Sequence, residues 1–98
     1  MKRFILARDA CRELSEISDY FLAQNVEAGE RFVEAFDKKC QHLARFPYLG
    51  KSYTHVDDEL RGTPLMGYII FYQLIDDGIE ILRVVSGYRD LSQVFDKS

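Results

Sequence analysis

The sequence predicts an α+β domain: an antiparallel helical hairpin packed on a small antiparallel sheet, in the order β-α-α-β-β-β. Three observations carry this. Two long segments place apolar residues at helical spacing, two later runs alternate around an Asp-Gly turn, and one short apolar run precedes them all. Helices grouped together and strands grouped after them bury one face each against the other, which is the α+β solution.

Phe4-Ile5-Leu6-Ala7 reads as the first strand, and Asp9 after it as a helix N-cap, its carboxylate able to accept from free amides of the first turn. Ala10, Leu14, Ile17 and Phe21 follow at spacings of four, three and four, one face of a helix. Arg12, Glu13, Glu16 and Asp19 are assigned to its wet face. Asn25 caps a second, longer helix whose stripe is Phe32, Phe36, Cys40 and Leu43. Pro47 ends it, because a proline biases the preceding Phe46 away from helical geometry. Two helices joined this closely should pack as a hairpin.

Pro47 to Ser52 reads as a turn-rich connection, and the stretch to Glu59 as irregular. Leu60 to Leu65 is expected as a strand, with Pro64 confining part of it to an edge or bulge. Tyr68, Ile70 and Tyr72 then point one way and Ile69, Phe71 and Gln73 the other. Ile79 to Val85 returns after Asp77-Gly78, where glycine supplies the positive φ a tight turn needs.

Composition bounds the function. With 98 residues, 47% of them hydrophobic, and 7 Phe and 6 Tyr, residues 1–98 make one domain with a packed core and not a disordered chain. No apolar run approaches the roughly 18 residues of a spanning helix, and Arg8 and Asp9 interrupt any apolar leader, so a cytoplasmic location without membrane contact is expected. Cys11 and Cys40 stand alone and read as buried or half-buried thiols. Neither a metal site nor a cofactor is indicated. The net charge is −3, and residues 57–98 carry four Lys or Arg against eight Asp or Glu. Phosphate contacts demand a basic face, so this balance argues against direct nucleic-acid binding as the main role.

The order of elements, Phe46-Pro47 closing the second helix, Leu60-Arg61 opening the sheet, Ile70-Phe71-Tyr72 at its centre, the run Asp77 to Val84, and the closing Gly87-Tyr88-Arg89-Asp90 together resemble the RelE/ParE superfamily of bacterial toxins, and its ParE branch most closely. The resemblance spans essentially the whole chain. It implies a toxin of a type II toxin–antitoxin system that inhibits DNA gyrase by protein–protein binding. It also implies a cognate, ParD-like antitoxin that orders as it lays apolar anchors between helical hairpin and sheet.

The RelE branch cuts messenger RNA on the ribosome, and that chemistry needs a group to take a proton, one to give it, and cations for the developing charge. Laid on this chain, the positions that branch fills with basic residues and a tyrosine fall at Leu60, Gly62, Ile69 and Phe95; only Arg89 keeps its type, and Arg61 lies one place out of register. Ser86, where some relatives carry histidine, is too weakly acidic to move protons near neutrality. No catalytic residue is therefore assigned.

The residues expected to meet target or antitoxin are Arg61, Arg83, Tyr88 and Arg89, with Leu14 and Ile17 as the apolar floor for antitoxin anchors. Two of these have a structural alternative: Arg89 as part of a closing turn, and Arg83, on the face expected to hold Ile81 and Val85, as half of an ion pair. His42, His55 and the acids Asp57-Asp58-Glu59 read as isolated surface groups. Two other functions stay open: a ribosome-dependent endonuclease using Arg61, Arg83, Tyr88 and Arg89, and an inert homologue acting with its antitoxin as a corepressor.

Overall fold

The computed structural model describes residues 2–87 and 94–95. Strand β1 (Arg3–Leu6) leads into helix α1 (Arg8–Gln24), and helix α2 (Val26–Arg45) returns antiparallel to it. Only Asn25 separates the helices, and its side chain accepts from the Ala28 N–H at 2.7 Å, the cap that the sequence places there. α1 starts two residues earlier than expected: Ala7 holds the N-cap position, so Asp9 falls inside the first turn, where its charge favours the helix end without capping it.

A single 3-10 turn (Pro47–Leu49) follows, then β2 (Lys51–Ser52), β3 (Arg61–Leu65), β4 (Tyr68–Ile75) and β5 (Gly78–Ser86). The two-residue β2 lies inside the stretch read as a connection; it is too short to carry an alternating pattern. The sheet runs β1-β5-β4-β3-β2 and is mixed. β3, β4 and β5 form the expected antiparallel meander, but β1 pairs with β5 in parallel, Arg3 opposite Gly78 and Leu6 opposite Ile81. The helical hairpin returns the chain to the end of the sheet at which it left, and the meander then brings β5 in beside β1. β2 pairs only with Arg61 and Gly62, so Pro64 stands where the outer side of β3 is open, as a proline in a sheet requires.

Gly78 has φ +155°, and a Cβ there would overlap the Arg3 carbonyl oxygen; the turn sequence is needed for β1 to dock. Arg3 fastens that corner, its backbone N–H donating to the Asp77 carbonyl at 3.0 Å and its Nε to Asp77 Oδ2 at 2.6 Å. A second tight turn, Met66-Gly67, has both residues at positive φ, the mirror-image turn that suits the strand twist.

The sheet is apolar on both faces. Under the helices, Ile70, Tyr72, Ile79, Ile81 and Val84 meet Ala10, Ile17, Phe32, Phe36, Cys40 and Leu43. Phe21 and Phe32 stack with ring centres 5.1 Å apart, and Phe32 meets Tyr68 edge-on at 5.9 Å. Burial beside Asp37 pushes the Cys40 thiol up to about 12. Cys11, by contrast, is exposed, because it sits on the outer side of α1. The other face holds Leu60, Phe71, Val85 and Val94, flanked by Tyr53, Val56, Ile69, Leu82 and Phe95.

Candidate functional site

β4 and β5 lose register between Phe71 and Tyr72: Phe71 stands opposite Arg83 and Tyr72 opposite Ile81, leaving Leu82 as the extra residue of a bulge. The bulge reverses the alternation of β5. Ile81 and Val84 belong to the helix-side cluster, Leu82 and Val85 to the other, so the single face expected to hold Ile81, Arg83 and Val85 does not exist.

Arg83 uses this break to reach both sides. Its Nε and Nη2 donate to Glu13 on α1 at 2.7 to 3.1 Å, and its Nη1 donates to the Val94 carbonyl at 2.8 Å. Glu13 Oε1 also accepts from the backbone N–H of Val84 at 2.9 Å. Glu13 is 6% exposed and so is not on the wet face of α1. Its place three residues after Ala10 and four before Ile17 is a core-stripe position; the spacing held the signal, and the charge masked it. A buried carboxylate needs both a countercharge and hydrogen bonds, and here it has them. The same hydrogen bonds from Arg83 to Glu13 push the guanidinium pKa further up.

Arg61 belongs to a second network. Its Nη1 donates to the Gly50 carbonyl at 3.0 Å, and its guanidinium lies 5.0 Å from the Tyr48 ring centre. Tyr72, whose ring is fully buried, donates its hydroxyl proton to the Pro47 carbonyl at 2.7 Å and accepts from the Gly50 N–H at 2.9 Å. A Cβ on Gly50 would lie 2.2 Å from that hydroxyl oxygen, so glycine is what permits the approach. Burial raises the Tyr72 pKa, leaving the group a neutral two-way linker. Neither Glu13 nor the Tyr72 hydroxyl was among the residues singled out from the sequence.

Leu14 and Ile17 do not form an open floor. Ile17 is 7% exposed within the core, and Leu14 is half-buried against it. Both belong to the α1 stripe that packs against α2 and the sheet, so that packing takes the surface an antitoxin anchor would need. The exposed large apolar residues of α1 are Tyr20 and Leu22. Tyr88 and Arg89 lie outside the described residues.

Four of the five positions that the RelE resemblance marks for RNA cutting are packed instead; the fifth, Arg89, lies outside the described residues. Leu60, Ile69 and Phe95 belong to the cluster on the sheet face away from the helices, where Phe71 meets Tyr53 and Phe95 edge-on at 5.1 and 5.0 Å. A side chain at Gly62 would meet Tyr53, Ile69 and Phe71 within 3.2 Å. His42 is exposed and rests on Phe46, and His55 on Tyr53, at 5.2 and 5.7 Å between ring centres.

Fold and site together define an α+β domain with a helical hairpin on one sheet face and an apolar, loop-covered second face. A solved structure of this shape, from the chromosomal ParDE toxin–antitoxin system of P. aeruginosa, superposes with a TM-score of 0.71 at 18% identity, over 88% of this chain and 96% of that one. At that identity the likeness speaks for the fold. No curated protein sequence matches the chain. The family model for the ParE toxin of the type II toxin–antitoxin system parDE matches residues 4–91, and the chain belongs to that family. Among the described residues, no helix is long and apolar enough to cross a membrane.

Proposed function

We propose that this ParE-family toxin acts by binding DNA gyrase and blocking it, without chemistry of its own, and that a ParD-like antitoxin neutralises it in the cytoplasm. Gyrase as target follows from the family resemblance. The observation that carries the mode of action is the packed second face: Leu60, Gly62, Ile69 and Phe95 form or abut an apolar cluster where an RNA-cutting relative would gather cations and a proton donor. Arg61 and Arg83 support the same reading, since each guanidinium is committed to holding the fold, through Gly50 and through Glu13. General acid–base cleavage needs a proton acceptor and a donor at the phosphate, and at Leu60, Gly62, Ile69 and Phe95 the described residues offer neither.

Supercoiling of relaxed plasmid by gyrase, run beside messenger-RNA cleavage on programmed ribosomes, tests this. Blocked supercoiling with intact RNA is the expected outcome. Cut RNA with gyrase unaffected would overturn the reading and return Arg61 or Tyr88 to a catalytic role.

A further inference from the structure

From Lys38 to Val56 the chain carries four Lys or Arg and two His and no acid, in a protein whose net charge is −3. The structure gathers much of this stretch around the 3-10 turn. Phe46, Tyr48 and Leu49 are 51%, 72% and 61% exposed, and with Arg45 and Pro47 they line one shallow cavity. Cations stand over the rings: Arg45 lies 5.9 Å from the Phe46 centre, Arg61 5.0 Å from Tyr48, and Lys51 5.7 Å from Tyr53. Among the described residues, no ion pair engages Arg45, Lys51 or Arg61.

The patch is also held still. The Tyr72 hydroxyl grips Pro47 and Gly50 from beneath, and Arg61 fixes the Gly50 carbonyl, so the turn presents its rings without first having to order them. Asp58 and Glu59 line the cleft shared with Tyr48 and Arg61, and they bound the patch on that side. Aromatic and arginine side chains around an apolar centre are the usual composition of residues that dominate protein–protein binding.

We propose that this surface is where the toxin seats its protein target, and that the target presents there an acidic segment bearing an apolar anchor; the assignment rests on the target-binding reading above. The anchor enters between Phe46, Tyr48 and Leu49, and its acids meet Arg45 and Lys51. A nucleic-acid strand suits the patch less well: aliphatic Leu49 and Pro47 lie at its centre, acids flank it, and the whole chain repels phosphate.

The test compares wild type with Tyr48→Ala/Leu49→Ser, Arg45→Glu/Lys51→Glu and, as a charge control on α1, Arg12→Glu. Growth arrest on induction and inhibition of gyrase supercoiling are both read, with thermal melts to check folding. Each double variant should melt close to wild type, lose growth arrest, and need about tenfold more protein or greater for half-inhibition, while Arg12→Glu stays within about twofold. Double variants as potent as wild type would overturn the proposal. So would a wild type that binds labelled oligothymidylate through this patch, with the affinity lost in both variants. Variants that lose growth arrest when wild type leaves gyrase untouched would support the surface and overturn gyrase as its target. A wild type that neither arrests growth nor inhibits gyrase would overturn both readings.

Discussion

The sheet face under the helices and the face turned away from them are both apolar at their centres, yet they are closed by different material. Two regular helices cover the first, α1 placing Ala10 and Ile17, and α2 placing Phe32, Phe36, Cys40 and Leu43, over Ile70, Tyr72, Ile79 and Ile81. Tyr53, Val56 and Leu60 from an irregular segment cover the second, together with Val94 and Phe95. Regular cover gives a core that cannot collapse when it loses a side chain. A loop can follow its neighbours inward, so the same loss costs less there.

The largest effect that probes this contrast is at Phe32, fully buried and touching three other rings. Phe32→Ala should cost about 3–5 kcal/mol in urea unfolding, and of the matched pair on β5, Val84→Ala under the helices should cost more than Val85→Ala under the loop. Equal losses would make the two faces one rigid unit and sink the comparison.

Next comes the bridge between the faces. Glu13→Ala leaves half-buried Arg83 without its countercharge and the buried Val84 N–H without an acceptor, and should destabilise by about 3 kcal/mol. Joint replacement Glu13→Leu with Arg83→Met should recover most of that, because it removes both desolvated charges. If the pair behaves additively in a double-mutant cycle, the bidentate contact does not couple the two sites.

Tyr72→Phe should be milder. It keeps the ring but orphans the Gly50 N–H and the Pro47 carbonyl, at a cost of about 1–3 kcal/mol, and faster proteolysis near residues 47–50 would locate the loosened segment. The smallest effect is at the β1 corner. A hydrogen bond from Arg3 holds the exposed Asp77 carboxyl below the usual carboxylate range. A depressed value contributes stability above that range and loses it as pH falls through the folded pKa. Asp77→Asn should therefore melt slightly lower than wild type near neutrality, and the two should converge in strong acid.

Much of the architecture was legible in the chain, because periodicity reports which residues a regular element buries. The stripes of α1 and α2, the Asn25 cap and the Asp77-Gly78 turn stand where spacing and turn chemistry put them. The site was far less legible. Leu82 is one extra residue in a strand, and no local pattern marks it. Yet it separates Ile81 from Val85 and turns Arg83 toward α1. Glu13 was misplaced for the reciprocal reason: a charged residue is assigned to water unless its distant partner is known. The exposed rings at Phe46 and Tyr48 look, as sequence, like an ordinary turn; only the buried Tyr72 hydroxyl beneath them makes that turn a fixed surface.

The Glu13 carboxylate has a further consequence for how the molecule behaves in a crowd. β1 accompanies β5 only as far as Ile81, so among the described residues the remainder of β5 has no neighbouring strand on that side. Such a margin is a template on which a foreign strand can extend the sheet. By holding the Val84 N–H, Glu13 occupies the hydrogen-bonding slot that an intruding chain would need first, and Arg83 anchors the carboxylate in place. A strand pairing there must first displace Glu13 from the Val84 N–H, and with it the ion pair to Arg83.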